Sequence, residues 1–585
     1  MNSETIDQLL ITGLKLAEAG AADQAAEMFA ALLASSPERA DVWFALAEVR
    51  RQQQDARAAF AAYLETVRRD PEHAEAHYWL SMLLQNHHPL DALRHVQLTL
   101  ESVPEHVAGR EQLSRCYLQL QARGCGRELT EQLERRPEDV YELLKALSAL
   151  PAIPYDEAEM QAAVALLAEA IAVLQVRQSA FDPELLLQHD LVLPRMLLHY
   201  GLEGMADRRL REAYAGLFRL EPLALTPQAG APRIGFVVGP GRVNLFLRFQ
   251  AGLMRELSRL RPGIDWVLVG PAGLEATVSW QLPGWGYLAL PEHLPAAAQL
   301  VAAAGFDLLY YWECGPETLS YFLAMLKPAR VQCAGTGWPI TSGLKTMDYY
   351  LSSQRAEPAD AQRFYTECLR LQPGWAYPGL APLLPERPAG REHWGFRAAQ
   401  RLYVCLQHPF KLHPGLDPLF HRILAADPDG LLVLIGHDPW MGQQLYRRLL
   451  RSGPESAEHA ERIHVLPRQS HLDYLSLVLT ADVVLDSWPY AGGGTSADLL
   501  VCGTPVVTLS GPQQRGRWTR AVLEAAGLPE LIAATPEEYV QIALQVAQDK
   551  ALRQRLSQTL IASSSPLLAD PTAITSFLEL LEGML

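Results

Sequence analysis

The sequence has few positive charges for its length. Lysine and arginine total 50 against 66 aspartates and glutamates, which gives a formal net charge of −16 at pH 7. A protein that binds nucleic acid nonspecifically needs the opposite sign, so we expect no nucleic-acid partner. The sequence also lacks a run of 18 or more apolar residues, and its first residues, MNSETIDQLL, lack a basic segment before an apolar core. These absences predict no membrane-spanning segment and no signal peptide.

Cysteine is scarce as well, with seven residues scattered among 585. No CxxC pair and no cysteine–histidine cluster has metal-binding spacing, and an odd, scattered set does not form a disulfide framework. The sequence therefore predicts a reducing compartment, the cytoplasm, and no metal site. What is present is ordinary globular composition, 49% hydrophobic and 20% charged, in a chain too long for one hydrophobic core. We expect three or more domains.

Residues 1–140 contain a repeat marked by proline. Four prolines lie 34, 33 and 33 residues apart, at Pro37, Pro71, Pro104 and Pro137. Small residues stand 12 positions before the first three prolines and larger ones stand eight positions before them: Ala25, Ala59 and Ala92, then Phe29, Tyr63 and Val96. A small residue lets two helices approach, the larger one fills the next turn of that face, and proline ends the pair. The pattern resembles the tetratricopeptide repeat, a helical hairpin.

Two roles remain open for these repeats. They could be a stacked helical scaffold only, or their concave surface could hold a protein segment, as solenoids often do. Residues 141–228 keep a helical pattern without a period, and we assign them to a connector between the repeats and the rest of the chain.

From residue 229 onward, short apolar runs alternate with helical stretches. The predicted strands are 233–239, 265–270, 287–290, 307–313, 331–337, 348–353, 401–407, 430–436, 462–467, 482–487 and 504–510. Apolar strands between helices indicate parallel sheets covered on both faces. A segment rich in proline and glycine, 371–392, divides these strands into two sets, which predicts Rossmann-like lobes over 229–385 and 386–585, the second with the C-terminal helices. Ligands of such lobes bind at the carboxyl ends of the strands, although no GxGxxG dinucleotide fingerprint is present.

The stretch LDSWPYAGGGTSADLLVCGTPVVTLSG is the strongest candidate for a binding site. A strand ends near its start, and Gly492, Gly493 and Gly494 precede Thr495 and a predicted helix. Glycines let backbone amides approach a ligand, and a helix N-terminus favours phosphate. Asp498, one turn later, could accept a hydrogen bond from a ribose hydroxyl. The alternative is a capping box, because Thr495 and Asp498 have the T-x-x-D spacing.

Three further stretches carry candidate polar residues. In LQHPFKLHPGL, Lys411 could neutralise a leaving diphosphate with His408 beside it, or it could be a solvated loop lysine. Three arginines in PQQRGRWTR could bind phosphate near a helix start, or they could be surface charges. They are Arg515, Arg517 and Arg520. In GTGWPITSG, Thr341 and Ser342 could meet a sugar or cap a helix, or they could form an ordinary turn.

Together these stretches resemble glycosyltransferase family 41, which contains the protein O-linked N-acetylglucosamine transferases, the SPINDLY-like proteins and the HMW1C-type N-glucosyltransferases. The family's order is tetratricopeptide repeats followed by two Rossmann-like lobes. The matching pieces are WPITSGLKTMDYYLSS, HPFKLHP, ADVVLDSWPYAGGGTSADLLVCGTPVVTLSG and RGRWTRAVLEAAGLPELIA. The bacterial SPINDLY-like group is the most similar. The resemblance implies a GT-B fold and an inverting, metal-independent transfer from a nucleotide sugar, usually a UDP-sugar, with no cofactor.

The resemblance also assigns site residues. It implies that Lys411 meets the diphosphate, that His408 stands where the O-GlcNAc transferases have a diphosphate-contacting glutamine, and that Asp498 holds the donor ribose. His471 falls near the segment that contacts the nucleobase, and Arg517 is a further expected contact of the nucleotide sugar. The expected phosphate-binding loop is Gly492, Gly493, Gly494 and Thr495.

Two departures from the family pattern concern the acceptor side. Many of the O-GlcNAc transferases carry a histidine after the first strand of the first lobe, where this chain reads VGPGRVN with Asn244. Many bacterial relatives carry His-Pro before the Thr-Ser-Gly turn, where this chain has Trp338 and Pro339. The catalytic base is therefore not transferable by motif. Glu313, at the end of the strand DLLYYWE, is the candidate base, and an ion pair, a sugar-hydroxyl contact or a mechanism without a protein base are the alternatives.

We therefore expect a cytoplasmic glycosyltransferase that moves GlcNAc or glucose from a UDP-sugar to Ser, Thr or Asn of a protein acceptor. Asn244, Thr341 and Ser342 are expected on the acceptor or sugar side. The repeats are expected to capture the polypeptide, and homo-oligomers are compatible with them. The alternatives are transfer to a glycan or lipid precursor, and a non-catalytic adaptor whose lobes bind nucleotide while its repeats recruit protein partners.

Overall fold

A computed structural model describes residues 3–585, apart from 86–87, 104, 110–111, 114, 117–143, 145–149, 178–180, 188–190, 194, 226–229, 375–380 and 454–455. The chain divides into two compact units. The first comprises Met1–Pro151 with Ala162–Leu167, and the second comprises Ala152–Gln161 with Ala168–Leu585.

Helical hairpins form the described part of the first unit. Its helices are α1 (Ser3–Glu18), α2 (Ala22–Ser35), α3 (Ala40–Gln52), α4 (Ala56–Arg69), α5 (Ala74–Leu84) and α6 (Pro89–Ser102). The six residues predicted to make the repeat contacts are all fully buried, which confirms that prediction. They lie on α2, α4 and α6, the second helix of each hairpin, so the sequence period places the same contact in every repeat. Pro104, Pro137 and most of the fourth predicted repeat lie outside the described residues.

Within the described residues, two α-helices follow before the first sheet. They are α7 (Glu157–Arg177) and α8 (Gly204–Ala215), with the 3-10 helix Arg195–His199 between them. By length and composition alone, residues 157–176 of α7 could cross a membrane, which the expectation of no spanning segment did not foresee. Met160, Ile171 and Leu174 of this helix are buried inside the protein, whereas Val176 is 84% exposed.

The first lobe is built on a parallel sheet of seven strands. The strands are β1 (Arg233–Val237), β2 (Asp265–Pro271), β3 (Gly286–Leu290), β4 (Leu308–Tyr311), β5 (Val331–Ala334), β6 (Tyr349–Ser353) and β7 (Cys368–Gln372). Their order is β3-β2-β1-β4-β5-β6-β7. In the central pairs Val237 lies opposite both Val269 and Tyr311, and all four residues of β4 are buried. Strands buried on both faces read as continuous apolar runs, which is why the sequence revealed them.

Helices cover this sheet, and its edge strand corrects the predicted linker. The helices are α9 (Val243–Leu260), α10 (Glu275–Gln281), α11 (Leu294–Ala304) and α12 (Thr318–Met325). Phe246 and Met254 of α9 pack with Phe236 and Leu268 in the lobe's core. The linker was predicted to start at residue 371, but β7 runs to Gln372. Because β7 is an edge strand with alternating exposure, it lacks the continuous apolar run of a central strand.

The second lobe repeats this architecture with a parallel sheet of six strands. The strands are β8 (Arg401–Cys405), β9 (Gly430–Ile435), β10 (Ile463–Leu466), β11 (Val483–Leu485), β12 (Val506–Leu509) and β13 (Ile532–Ala533). Their order is β10-β9-β8-β11-β12-β13. All eleven predicted strands are confirmed, and β7 and β13 are additional edge strands.

Helices cover the second sheet as well, and the last one leaves it. They are α13 (Asp417–Ala426), α14 (Pro439–Leu449), α15 (His471–Thr480), α16 (Gly494–Cys502), α17 (Trp518–Ala525), α18 (Pro536–Gln548), α19 (Lys550–Leu568) and α20 (Pro571–Glu582). The C-terminal helices were all expected on the second lobe. Instead, Phe577 of α20 packs in the core of the first lobe, with its ring centroid 5.3 Å from that of Tyr310. An apolar helix face is buried wherever a matching apolar surface lies, and sequence order does not decide that place.

Candidate functional site

The strand order of the second sheet reverses between β8 and β11, which are hydrogen-bonded neighbours. After β8 the chain passes through Gln407 and His408 into the 3-10 helix Pro409–Lys411. After β11 it passes through Asp486 into the glycine loop and α16. At such a reversal the two connections leave toward opposite faces of the sheet and open a crevice at the carboxyl ends of the strands. The two strongest sequence motifs therefore meet in one crevice.

Lys411 lies at this crevice in contact with both connections. Its ammonium nitrogen Nζ donates to Gln407 Oε1 at 3.1 Å and to the carbonyl oxygen of Ala491 at 3.4 Å. The same nitrogen lies 4.1 Å from the centroid of the Tyr490 ring, a cation–π contact. Burial lowers the pKa of Lys411 to about 8, and the nearby Asp486 opposes that shift. The alternative of a solvated loop lysine is therefore wrong.

Asp486 organises the glycine loop from beneath. Its Oδ1 accepts from the backbone amides of Ser487 at 2.9 Å and Gly492 at 2.8 Å, and its Oδ2 accepts from Thr508 Oγ1 at 2.8 Å. Tyr539 donates to its backbone carbonyl at 2.9 Å. Burial raises the pKa of this carboxyl, and the hydrogen bonds and Lys411 oppose the shift. A buried carboxylate with this many donors holds the loop in one conformation.

The three glycines of the loop differ in how much space surrounds the position that a side chain would occupy. A Cβ on Gly492 would collide with Thr495 Oγ1, and it would lie 2.6 Å from Gln407 Nε2, where these two side chains form a 2.8 Å hydrogen bond. A Cβ on Gly494 would lie 2.6 Å from Cζ of Phe249 in the first lobe. A Cβ on Gly493 would have no heavy atom within 4 Å. Close packing thus requires two of the glycines, and Gly493 borders open space.

Helix α16 presents its N-terminus to the crevice. Gly493 is the N-cap, and no side chain among the described residues caps this helix. Thr495 Oγ1 accepts instead from Gln407 Nε2, and Asp498 is paired elsewhere, so the alternative of a capping box is wrong. The first amides of an uncapped helix are hydrogen-bond donors at the positive end of the helix dipole, and they favour an anion such as phosphate.

A cavity of about 350 Å³ lies over the carboxyl ends of β8, β9 and β10. It is lined by Leu406, Gln407, His408, Ile435, His437, Arg468, Gln469, His471 and Tyr474. The amide of Gln469 is fixed, because its Oε1 accepts from Trp394 Nε1 at 3.0 Å and its Nε2 donates to the Pro467 carbonyl at 2.7 Å. Among the predicted site residues, His408 and His471 therefore share one cavity next to Lys411. A cavity of this size suits a small organic ligand such as a nucleotide.

Asp498 lies next to this cavity but is already paired. It is 2% exposed, and its carboxylate accepts from Arg248 of α9 in the first lobe. Burial raises the pKa of Asp498, while Arg248, His471 and Tyr474 oppose that shift. This ion pair joins the two lobes across the crevice. A ribose hydroxyl would have to share the carboxylate with Arg248.

Glu313, the predicted base, lies at the equivalent strand reversal of the first sheet, between β1 and β4. Both of its oxygens accept from the guanidinium of Arg242, with a distance of 2.6 Å from Nε to Oε2. The ion pair that the sequence left as an alternative is therefore present, and Glu313 as a base stays a prediction. Asn244, two residues after Arg242, is exposed in the first turn of α9.

Thr341 and Ser342 are 0% and 3% exposed, and they do not face an open crevice. Thr341 Oγ1 donates to Glu367 Oε2 at 2.6 Å, and the amide of Ser342 donates to Glu367 Oε1 at 2.7 Å. Burial raises the pKa of Glu367, and these donors oppose the shift. The structure therefore corrects their expected sugar contact, because a buried carboxyl requires the hydroxyl and amide donors for itself.

The three predicted arginines do not form one phosphate fork. Arg515 is 2% exposed and donates to Asp207 and to the carbonyl of Leu202, while Arg520 pairs with Glu524 on α17. Arg517 Nε is buried and has no hydrogen-bond partner within the described part of the chain. Burial lowers its pKa. Arg517 does not line the cavity, so its nucleotide contact stays a prediction.

Several residues of this site were not singled out from the sequence. Gln407 forms hydrogen bonds with both Lys411 and Thr495. The ring of Tyr490 makes the cation–π contact with the Lys411 ammonium. His437 and Arg468 line the cavity. Gln407, His437 and Arg468 stand within three residues of a strand's carboxyl end, which was the available signal. In the described residues, no group of three or more His, Cys, Asp or Glu could hold a metal ion.

Comparisons with known proteins agree with this arrangement. Residues 389–569 match the family model described as glycosyl transferase family 41. The probable UDP-N-acetylglucosamine–peptide N-acetylglucosaminyltransferase SPINDLY of Solanum lycopersicum is 30% identical over 249 residues, which is 41% of this chain and 26% of that protein. The SPINDLY protein of Arabidopsis thaliana is 28% identical over 257 residues, which is 42% of this chain and 27% of that protein. The chain thus spans about a quarter of the length of these curated relatives.

A solved structure extends the likeness to the whole fold. The structure of a mutant O-GlcNAc transferase from Thermobaculum terrenum has a TM-score of 0.58 and 21% identity, and the match covers 100% of this chain and 98% of that one. This match confirms the predicted fold of a helical N-terminal region followed by two Rossmann-like lobes. The similarity to glycosyltransferase family 41 thus covers residues 389–569, which hold the second lobe and its crevice, while the likeness of the whole chain is one of fold.

Proposed function

We propose that this protein transfers a sugar from a UDP-sugar to a protein acceptor, with inversion at the anomeric carbon and without a metal cofactor. The names of the relatives support UDP-N-acetylglucosamine as donor and a peptide as acceptor. Glucose remains a second sugar to be tested, and Ser, Thr and Asn are the acceptor residues to be tested. The tetratricopeptide-like hairpins would hold the acceptor polypeptide on their concave surface.

One observation carries this proposal: Lys411 and the amide-rich N-terminus of α16 lie side by side at the crevice, next to a cavity of nucleotide size. As the bond from sugar to diphosphate breaks, negative charge grows on the leaving oxygen. Lys411 and the helix amides are donors held in place before the reaction, so they stabilise that charge without reorganisation. The proposal assigns to them the neutralisation that a metal ion provides in other transferases.

The acceptor hydroxyl or amide loses its proton during transfer, and Glu313 is the predicted base. Because both oxygens of Glu313 accept from Arg242, it would have to leave this pair to take a proton. The pairing favours a role for Glu313 and Arg242 in shaping the acceptor side of the crevice. A reaction without a protein base is consistent with the same geometry.

The test is nucleotide release by the purified full chain with a panel of UDP- and GDP-sugars, with and without candidate protein acceptors. We expect acceptor-dependent release of UDP, and the Lys411→Ala variant should lose about 10²–10³-fold in rate. Lys550→Ala, on the exposed start of α19, is the matched control and should keep full activity. Undiminished turnover in Lys411→Ala would overturn the assigned role. No release with any donor would favour the non-catalytic adaptor, and release only with a glycan or lipid acceptor would overturn the protein acceptor.

A further inference from the structure

We propose that His437 and His408 together contact the diphosphate of the bound nucleotide, and that binding makes this histidine pair take up a proton. The inference rests on the proposed function, because it concerns the same nucleotide site. It adds His437, which neither the sequence motifs nor the family comparison assigned, as a ligand-binding residue.

The two rings come from adjacent strands and face each other. His408 follows β8 and His437 follows β9, and their ring centroids lie 4.1 Å apart at an interplanar angle of 45°. Both side chains line the 350 Å³ cavity. His408 Nδ1 is buried and has no hydrogen-bond partner in the part of the chain that the structure describes. A phosphate oxygen in this cavity would provide the missing partner, because a protonated imidazole donates from both nitrogens.

The backbone holds His437 in place at some cost. Its φ is 64°, in the left-handed region that a histidine adopts infrequently. The residues on either side explain this conformation, because the Gly436 amide donates to the Leu466 carbonyl at 2.6 Å and Asp438 caps α14 by accepting from the Met441 amide at 2.8 Å. A strained residue held on both sides at the mouth of a cavity indicates a functional constraint.

Two cations, two histidines and one carboxylate surround the pair. The cations are Lys411 on the pair's own side of the crevice and Arg468 after β10, the histidines are His471 on α15 and His199 on the 3-10 helix before α8, and the carboxylate is the helix-capping Asp438. Burial holds the pKa of His199 well below its usual value. Burial lowers the pKa of His408 to about 3, and His437, Lys411 and Arg468 add to that shift. Without a ligand, His408 is therefore neutral at pH 7.

A bound diphosphate reverses this balance. Its negative charge favours the protonated imidazole and opposes the lowering of the His408 pKa, so the complex holds more protons than the empty protein. Nucleotide affinity then falls as pH rises and the bound complex loses that proton. Lys411, whose pKa is about 8, is already protonated at pH 6.5, so proton uptake at that pH reports on the histidines.

The experiment is calorimetric titration of the full chain with UDP and with GDP at pH 6.5 in two buffers that differ in heat of ionisation. The variants are His437→Asn, because asparagine tolerates a positive φ, and His408→Gln. The matched control is His464→Gln, whose ring packs against Phe396 in the same lobe and does not line the cavity. The wild type and the control should take up more protons on binding than either variant, because the ligand's own protons cancel in the comparison.

Each outcome bears on the proposal. Equal proton uptake in the wild type and in both variants would overturn the histidine pair and would leave the proposed function intact. No binding of UDP or GDP by the wild type would overturn the proposed function together with the pair. The thermal unfolding temperature of each variant must match that of the wild type, so that a folding defect does not explain the result. His437→Gln, whose side chain is closer in length to histidine than asparagine is, serves as a second variant at this position. Reduced uptake in His437→Asn, His437→Gln and His408→Gln alike would establish the pair.

Discussion

The two lobes share one topology and differ in the partners of the basic side chain at the strand reversal. In each sheet the strand order reverses at the centre, between β1 and β4 in the first lobe and between β8 and β11 in the second. At the first reversal, Arg242 and Glu313 satisfy each other. At the second, Lys411 donates to two neutral acceptors and lies against the face of an aromatic ring. The same backbone plan thus holds an ion pair in one lobe and a lysine bonded to neutral groups in the other, so function follows from the side chains at the reversal and not from the fold.

The largest expected effect is the loss of transfer in Lys411→Ala, described above.

The first-lobe counterpart is Arg242→Ala, which leaves Glu313 buried and unpaired. We expect a loss of about 3 kcal/mol in the free energy of unfolding, since removing one partner of a buried pair strands the other charge. UDP affinity, measured by calorimetry, should change little. The double variant Arg242→Ala with Glu313→Gln should recover most of the stability, and a failure to recover would show that the arginine acts by packing.

The pH dependence of stability is a further property of the first lobe, and we expect it to come from Glu357. Burial raises the pKa of Glu357 to about 7, while Tyr365 and Ser352 donate to its Oε1 at 2.6 and 2.7 Å. Between the usual pKa of 4.5 and about 7, the folded state holds a proton that the unfolded state has lost. Stability should therefore fall as pH rises through this window, by up to about 3 kcal/mol.

Thermal unfolding at intervals between pH 5 and pH 8 measures this effect. Glu357→Gln keeps an acceptor for Tyr365 and carries no titrating group, so its unfolding temperature should depend less on pH than that of the wild type. A wild-type profile that is flat across the window, or parallel to that of the variant, would contradict the assignment.

The smallest expected effect concerns the contact between the lobes. Gly494→Ala would press a Cβ to 2.6 Å from the Phe249 ring, which we expect to cost about 1–3 kcal/mol through displaced packing. Gly493→Ala is the matched control one residue earlier, because its Cβ would meet no heavy atom within 4 Å. Nucleotide-release rates and unfolding temperatures of the two variants are the measurements. Equal release rates and equal unfolding temperatures of the two alanine variants would mean that the packing between Gly494 and Phe249 adjusts without loss of stability.

The success of sequence reasoning varied with the physical origin of each feature. The strands were predicted because most of them bury both faces and therefore read as apolar runs, whereas the exposure of β7 alternates and β13 has only 2 residues. The repeat contacts at Ala59 and Tyr63 followed from a period in the chain itself. Lys411 and the glycine loop were predicted because each directly follows a strand, and carboxyl ends of parallel strands converge.

Other side-chain pairings were not predicted, because they depend on partners distant in sequence. Thr341 and Ser342 are occupied by Glu367, Asp498 by Arg248 in the other lobe, and Arg515 by Asp207. Nothing near these residues in the sequence indicates those partners, which lie 25 to 308 positions away. Burial then requires the donors and acceptors to satisfy each other, whatever role their motif resembles.

The order of the parts and the strand-end positions at which chemistry could occur were readable from the amino-acid sequence, because hydrophobic periodicity and turn residues are local properties of a chain. Folding set which charged groups are paired. It placed Glu313 against Arg242, Lys411 against the neutral oxygens of Gln407 and Ala491, and His437 against His408. The physical reason is that the electrostatic state of a group depends on its burial and on partners brought close by folding, and neither is encoded next to it.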